Sequence, residues 1–420
     1  MPRYLTLDDV EVGGLDVLVR SDLNVPIEDG VITDDFRIRA SLPTLDRLAD
    51  AGARVTVCSH LGRPDGPDPE LSLRPVAEAM DALTSKEVGF EEGGQITVLE
   101  NTRFQSGETK NDPQLAARLA EGLGLFVQDA FGSVHRAHAS TVGVAELVKS
   151  AAGPLLDAEL KALDRFLVDP EVPYVVVLGG AKVSDKLGVI KSLLPKVDAM
   201  LIGGGMCFTL LEAKGHEVGN SLVEKDMIDT VRELLQGPDS EKIILPADVI
   251  IAEEFSETAP GQQVYIKDIP PGWIGLDVGH DTNQLFASVI RTAETVFWNG
   301  PMGVFEWASF RAGTEAVARA VADTSAFTAV GGGDTVAALR SLGLEDSVSH
   351  VSTGGGAGLE YLEGKELPGV EVLERWAGSI SPPAEGSTAE GGEGGALLPP
   401  QEGVPRRGEG GGGNSLDDRA

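Results

Sequence analysis

Short apolar runs rich in β-branched residues recur along the chain, each closing on Gly, Asp, Asn or Ser before a helical pattern begins. In the first half they start at 16 (DVLVRSD), 54 (RVTVCSH), 96 (ITVLEN) and 125 (LFVQDAFG). In the second half they start at 174 (YVVVLGGAK), 199 (AMLIGGG), 242 (KIILPAD), 295 (TVFWNG), 327 (FTAVGGGD) and 349 (SHVSTGGG). Continuous apolar strands alternating with helical segments such as DFRIRASLPTLDRLADAG and DKLGVIKSLLPKV mean βα units and parallel sheets buried on both faces. At 420 residues the chain is too long for one ordinary core. Two groups of strands predict an α/β fold of two doubly wound, Rossmann-like domains, residues 1–155 and 171–359. The segment LLDAELKALDRFLVDP has apolar residues at helical spacing and ends in Asp-Pro, which predicts an interdomain helix over 156–170. From 380 to 420 the chain is Gly, Pro, Ser and Glu with little to bury, so this tail is expected to be disordered, and its Arg406–Arg407 pair reads as solvated tail charge.

Asp and Glu number 66 against 34 Lys and Arg, a formal net charge of -32. That balance argues against nucleic acid or an anionic membrane surface as a partner, because both demand positive fields. No apolar run approaches the roughly 20 residues of a spanning helix, and MPRYLTLDDV has no signal-peptide core. Cys58 and Cys207 sit in apolar settings and read as buried thiols of a reducing cytoplasm. A surface this acidic stays hydrated where salt screens its self-repulsion, which predicts a high-salt cytoplasm.

Against that background the stretch VQDAFGSVHRAHAS is anomalous, since it gathers His135, Arg136 and His138. In open parallel sheets ligands bind beyond the carboxyl ends of the strands. The strands of the first half are followed by Asp22 and Asn24, by His60 and Arg63, by Arg103, and by the His135–His138 cluster; Arg37 lies in DDFRIRA shortly after the first strand. Convergence of these residues on one rim fits a small ligand with several negative charges, such as a phosphorylated carboxylic acid, because Arg makes forked contacts to carboxylate and phosphate. Singly, each Arg reads equally as a surface ion pair and each His as a structural hydrogen-bonder.

In the second half the strands are followed by glycines, in GGAKVSDK, GGGMCF, GGGDT and STGGGAG. Glycine lets backbone N–H groups approach an oxyanion, and a helix starting there adds its positive end. No Walker A loop is present, and no GxGxxG lies at the right distance from a ribose-binding acid. Taken singly, each cluster is also compatible with a tight βα turn. Lys182 and Lys186 are four apart and share a helix face if the helix begins there. Asp334 at a strand end is placed to hold Mg²⁺ against phosphates, and Glu306 is a candidate for a ribose diol. An anion rim in one half and a nucleotide rim in the other are what a small-molecule phosphotransferase needs, with one domain closing on the other to exclude water.

These motifs resemble those of the phosphoglycerate kinase family. VRSDLNVP, DDFRIRASLPTL, SHLGRPDG, LENTRF, DAFGSVHRAH, LGGAKVSDK, GGGMCFTLL, GWIGLDVG, FWNGPMGVFE, GGGDTVAAL, HVSTGGGA and LEGKELPGV occur in the family's order across about residues 1–378. The resemblance implies reversible transfer of the acyl phosphate of 1,3-bisphosphoglycerate to Mg-ADP, giving 3-phosphoglycerate and ATP, by a cytoplasmic monomer of glycolysis and gluconeogenesis. It implies that Asp22, Leu23, Asn24, Arg37, His60, Leu61, Gly62, Arg63, Arg103 and Arg136 hold the three-carbon acid. It implies that Lys182, Lys186, Asn299, Glu306 and the Gly332-Gly333-Asp334-Thr335 turn hold the nucleotide and its Mg²⁺, with Gly204, Gly205 and Gly275 lining the adenine slot. Arg37 and Lys182 would clamp the transferring group, and Gly355 and Gly356 would aim a helix start at it. Residues 360–379 would return to pack on the first domain. Gly358 stands where the family commonly has Ser, a departure expected to act on the cap of the adjoining helix. Two other classes stay open on residues alone: an NAD-dependent dehydrogenase, whose fingerprint is missing, and a non-catalytic anion-binding protein, which needs no Asp334.

Overall fold

A computed structural model describes residues 3–380; the predicted tail lies outside them apart from Ile380. The first lobe is built on β1 (Asp16–Arg20), β2 (Arg54–Cys58), β3 (Val88–Phe90), β4 (Glu92–Gly94), β5 (Ile96–Val98), β6 (Leu125–Gln128) and β7 (Ser150–Ala152), in the order β4-β3-β5-β2-β1-β6-β7. All neighbours pair in parallel except β3 with β4, an antiparallel edge. The second lobe holds β8 (Tyr174–Leu178), β9 (Ala199–Ile202), β10 (Ile243–Ile244), β11 (Asp248–Ala252), β12 (Gln262–Tyr265), β13 (Ile274–Val278), β14 (Thr295–Asn299), β15 (Phe327–Gly331) and β16 (His350–Val351). Six of these form a parallel sheet, β10-β9-β8-β14-β15-β16. The other three form the antiparallel sheet β12-β11-β13, which the sequence reading does not contain.

The buried strands explain the pairing. Every residue of YVVVL in β8 and TVFWN in β14 is buried, as expected where helices cover both faces of a parallel sheet. Register then levels the strand ends. Arg20 of β1 stands opposite Cys58 of β2 and Gln128 of β6; Asn299 of β14 stands opposite Leu178 of β8 and Gly331 of β15. Whatever follows those residues is delivered to one rim per lobe.

Six helices matter for the site: α1 (Phe36–Asp50), α2 (Pro154–Leu167), α3 (Leu187–Leu193), α4 (Gly333–Ser341), α5 (Gly356–Leu362) and α6 (Pro368–Ile380). Helix α2 connects the lobes and buries Leu156, Leu160, Leu163 and Phe166, a stripe at helical spacing. These side chains share one core cluster with Phe126 and Phe131 of the first lobe and Tyr174 and Phe297 of the second. Helix α6 returns to the first lobe, where the Trp376 indole N–H donates to the Ala145 carbonyl at 2.6 Å and Gly369 N–H donates to the Val134 carbonyl at 2.9 Å. Cys58 and Cys207 are free and buried.

Candidate active site

Beyond the carboxyl ends of β1, β2, β5 and β6 lies a cavity of about 280 Å³ in which Arg37, Arg63, Arg103 and Arg136 converge with His60, Asp22, Asn24 and Gly62. His135 and His138 line it as well. Each side chain is fixed by its neighbours. Arg37 donates from Nη1 to Asp22 Oδ1 at 2.6 Å. Asn24 Oδ1 accepts the Gly62 N–H at 2.8 Å, tying the loop after β1 to the loop after β2. The Arg103 guanidinium donates to the Gly62 carbonyl. Burial, with Arg136, Arg20 and Arg63 around it, pulls the Arg103 pKa below its ordinary value. Such crowding of like charge is stable only around an anion or a compensating acid.

The compensating acid is Glu108, a fully buried residue that the sequence reading missed. Its carboxylate accepts from the Ser140 hydroxyl at 2.6 Å and from Ser140 N–H at 3.1 Å, and lies 3.7 Å from His138 Nδ1. Ser140 Oγ in turn accepts from Arg20 Nε at 3.1 Å. Arg20, 1% exposed, was missed too; the one signal is an arginine directly after the apolar run VLV of β1. Its Nη2 lies 2.9 Å from His60 Nδ1. A guanidinium can only donate, so Nδ1 accepts and the His60 ring proton sits on Nε2. Burial, reinforced by Arg20, Arg103, His138 and Arg37, pushes the His60 pKa down to about 2. His60 is therefore a neutral donor of fixed tautomer. Burial likewise lowers His138, to about 4.

Leu23 and Leu61 leave this set. Their side chains sit in the first-lobe core, because water excludes an apolar group more strongly than a charged cavity attracts it. They contribute backbone alone, as where Leu23 N–H donates to Ser59 Oγ at 2.9 Å.

The glycine rim of the second lobe differs from expectation at the lysines. Helix α3 starts at Leu187, so Lys182 and Lys186 precede it and share no helix face. Lys186 is buried: its Nζ donates to the Asn299 side-chain and main-chain oxygens, and burial lowers its pKa to about 8. Lys182 is exposed. Gly332 caps α4 at φ 91, and Asp334 stands exposed in that helix's first turn. Thr335 Oγ1 accepts the Gly300 N–H at 2.6 Å, joining the turn after β15 to the turn after β14. Glu306 is exposed. Gly204 (φ 63) packs on the Gly180 backbone, Gly205 lies beside Ala181, and Gly275 lies under the Phe208 ring; each leaves little or no room for a side chain. Gly358 lies within α5, whose cap is Gly355, so the departure from Ser falls inside the helix.

The last turn of the second sheet crosses to the first lobe. Thr353, Gly354, Gly355 and Gly356 form one wall of the cation-lined cavity. Glu159 of α2 holds this turn, accepting from Thr353 N–H at 2.6 Å and from its hydroxyl at 2.9 Å, and lying 2.9 Å from His350 Nε2. A second cavity, of about 510 Å³, is lined by Gly332, Gly333, Val336 and Phe36. Asn24, Arg37, Thr353 and Gly355 line both cavities.

The phosphoglycerate kinase family profile matches residues 7–365. The phosphoglycerate kinase of Rubrobacter xylanophilus is 54% identical over 382 residues, covering 87% of this chain and 97% of that protein. The chain belongs to the phosphoglycerate kinase family. The Deinococcus radiodurans phosphoglycerate kinase is 51% identical over 386 residues, covering 87% of this chain and 94% of its own. Among solved structures, the phosphoglycerate kinase of Coxiella burnetii superposes with a TM-score of 0.82 at 42% identity, covering 89% of this chain and 99% of that one. That of Pyrococcus horikoshii gives 0.77 at 29%, covering 90% and 100%. Like its relatives, this kinase transfers phosphate between 1,3-bisphosphoglycerate and ADP, yielding 3-phosphoglycerate and ATP in glycolysis. Neither the dehydrogenase nor the non-catalytic binding protein is consistent with this membership.

Proposed function

We propose that the cation-lined cavity holds the three-carbon acid, that the rim from Lys182 to Thr335 holds Mg-nucleotide, and that the phosphoryl group passes between them beside Arg37. The observation that carries this reading is the sharing of Arg37 and Gly355 between the two cavities: one cation and one backbone turn face both ligands. Arg63, Arg103 and Arg136 neutralise the acid's phosphate and carboxylate, and His60 donates from Nε2. Phosphoryl transfer needs alignment and charge neutralisation more than covalent chemistry. The attacking group is already an anion, so no general base is required. Arg37 and Lys182 take the developing charge on the equatorial oxygens, joined by the N–H groups at Gly355 and Gly356.

Mg²⁺ bound with the nucleotide would supply charge neutralisation at its phosphates. The described residues contain no group of three or more metal-ligating side chains, which suits a metal held by one carboxylate and substrate phosphates. Asp334 is that carboxylate, exposed and without an ion pair among the described residues. Asn299 and Thr335 fix the turn, while Glu306, Gly204, Gly205 and Gly275 shape the nucleoside end.

Residues 1–155 with 360–379 form the acid-binding domain and 171–359 the nucleotide-binding domain. Lys182 lines neither cavity, so its use requires closure about α2. We assign the enzyme to the cytoplasm, as a monomer. No helix among the described residues is long and apolar enough to cross a membrane. The charge of -32 points to a salt-rich interior. A coupled assay of ATP formation from 1,3-bisphosphoglycerate and ADP, repeated across KCl concentration, tests the reading: activity is expected and rises with KCl, and inactivity at every salt level overturns it.

A further inference from the structure

Asp34, Phe36 and Arg340 meet across the lobes at the wall of the second cavity. Arg340 stands in the last turn of α4, the helix that begins at the Gly332–Asp334 turn. Its Nε and Nη2 donate to Glu345 at 2.9 and 3.0 Å, fixing the guanidinium plane. Its Nη1 reaches Asp34 Oδ2 of the first lobe at 3.0 Å, and its Cζ lies 4.1 Å from the centre of the Phe36 ring. The other Asp34 oxygen accepts the Phe36 N–H at 2.9 Å, at the start of α1. One carboxylate thus joins the N-terminus of α1 to the C-terminus of α4, with an anion at the first and a cation at the second, as both helix dipoles favour. The residue after Phe36 is Arg37, and the 510 Å³ cavity is bounded by Arg37, Arg340 and Gly332.

We propose that Arg340 is a positioning residue for Arg37: through Asp34 and Phe36 it sets where the first turn of α1 lies relative to the Gly332–Asp334 turn. The inference rests on the reading of Arg37 as a contact of the transferring group. A partly exposed ion pair contributes little to stability, whereas the fork to Glu345 and the stacking on Phe36 hold Arg340 in one orientation. Its effect is therefore on alignment, which phosphoryl transfer rewards.

The test compares Arg340→Met, Asp34→Asn, the double variant and Arg340→Lys in kcat, in KM and Kd for each ligand, and in thermal midpoint. Asp34→Asn keeps an acceptor for the Phe36 N–H and removes the charge. The expected result is a fall in kcat of about threefold to tenfold in Arg340→Met, with ligand affinities and midpoint near wild type. The double variant is no slower than Arg340→Met, and Arg340→Lys recovers part of the loss. Unchanged kcat in Arg340→Met, multiplying losses in the double variant, or a kcat loss that follows the midpoint overturns the proposal. Arg37→Ala separates it from the reading beneath it: if that variant keeps full kcat, the role of Arg37 falls, whereas a slow Arg37→Ala beside a normal Arg340→Met removes this inference alone.

Discussion

Arg37 is a cation on loan. Its Asp22 partner is mostly buried at the cavity wall, so the ion pair keeps Arg37 aimed inward until a stronger anion arrives. Truncating Arg37 removes the proposed donor to the transferring group, while Asp22 stays in a cavity still lined by Arg20, Arg63, Arg103 and Arg136. Arg37→Ala is expected to lose kcat on the order of 10²-fold or more with little change in folding stability, read by steady-state kinetics beside urea unfolding. His60 makes a prediction in pH. Folded, its pKa is about 2; unfolded, it returns to roughly 6.5. Between those values the unfolded chain binds more protons, so the His60 contribution to stability falls as pH drops through the window. His60→Gln should therefore show a flatter decline of urea midpoint between about pH 6.5 and pH 4. Parallel profiles for the two proteins would reject the neutral assignment.

At the scale of elements, strand ends and helix starts carry the chemistry, and glycine acts in opposite ways at two of them. Gly332 holds φ 91 and ψ 135 at the cap of α4, a region open to glycine almost alone, and an added Cβ would stand 3.0 Å from Asn299 Nδ2. Gly332→Ala is expected to cost about 1–3 kcal/mol of stability. It should also weaken Mg-ADP binding while leaving 3-phosphoglycerate affinity intact, measured by calorimetry with each ligand. Gly358 sits inside α5 with ordinary helical backbone, and a Cβ there meets nothing nearer than 3.6 Å. Gly358→Ala should stabilise the enzyme by about 0.4–1 kcal/mol, visible as a higher thermal midpoint at unchanged kcat; a lower midpoint would show that α5 needs the glycine. Helix starts are poorly marked in the sequence. The spacing of Lys182 and Lys186 fits a helix face, yet the chain stays irregular until Leu187, because Lys186 turns inward to Asn299, a partner 113 positions away.

At the scale of the whole molecule, two properties follow from charge and connection. The lobes meet through α2, the Thr353–Gly356 turn and the Arg340–Asp34 contact, and the proposed closure bends about α2. Binding of 3-phosphoglycerate and a non-hydrolysable Mg-ATP analogue together should reduce the radius of gyration in solution scattering, and neither alone should reproduce the full change. With a net charge of -32, self-repulsion opposes the folded state and salt screens it. The thermal midpoint is expected to climb with KCl toward molar concentration. A midpoint indifferent to KCl would mean that the acids are already locally compensated.

The sequence by itself determined the central parallel strands of both lobes and the residues at their ends, because apolar β-branched runs report strands and the residue after each run reports the strand end; the short strands VGF, EGG and SAA of the first sheet carry no such run. VRSDLNVP, SHLGRP, LENTRF and HRAH reach one cavity for that reason. It also determined the family, through the order of the motifs. It left out the antiparallel sheet β12-β11-β13, because QQVY of β12 has no continuous apolar run and DVIIA of β11 follows KIILPA with no helical segment between them to mark a new strand. Only the tertiary structure decided that Glu108 lies beneath the arginines, that Arg20 fixes the proton of His60, and that Arg340 meets Asp34. Each joins residues far apart in the chain, and a charged side chain looks the same in sequence whether solvent or another buried charge surrounds it. Burial, which turns such a side chain from a solvated surface group into part of a network, exists only once the lobes have packed.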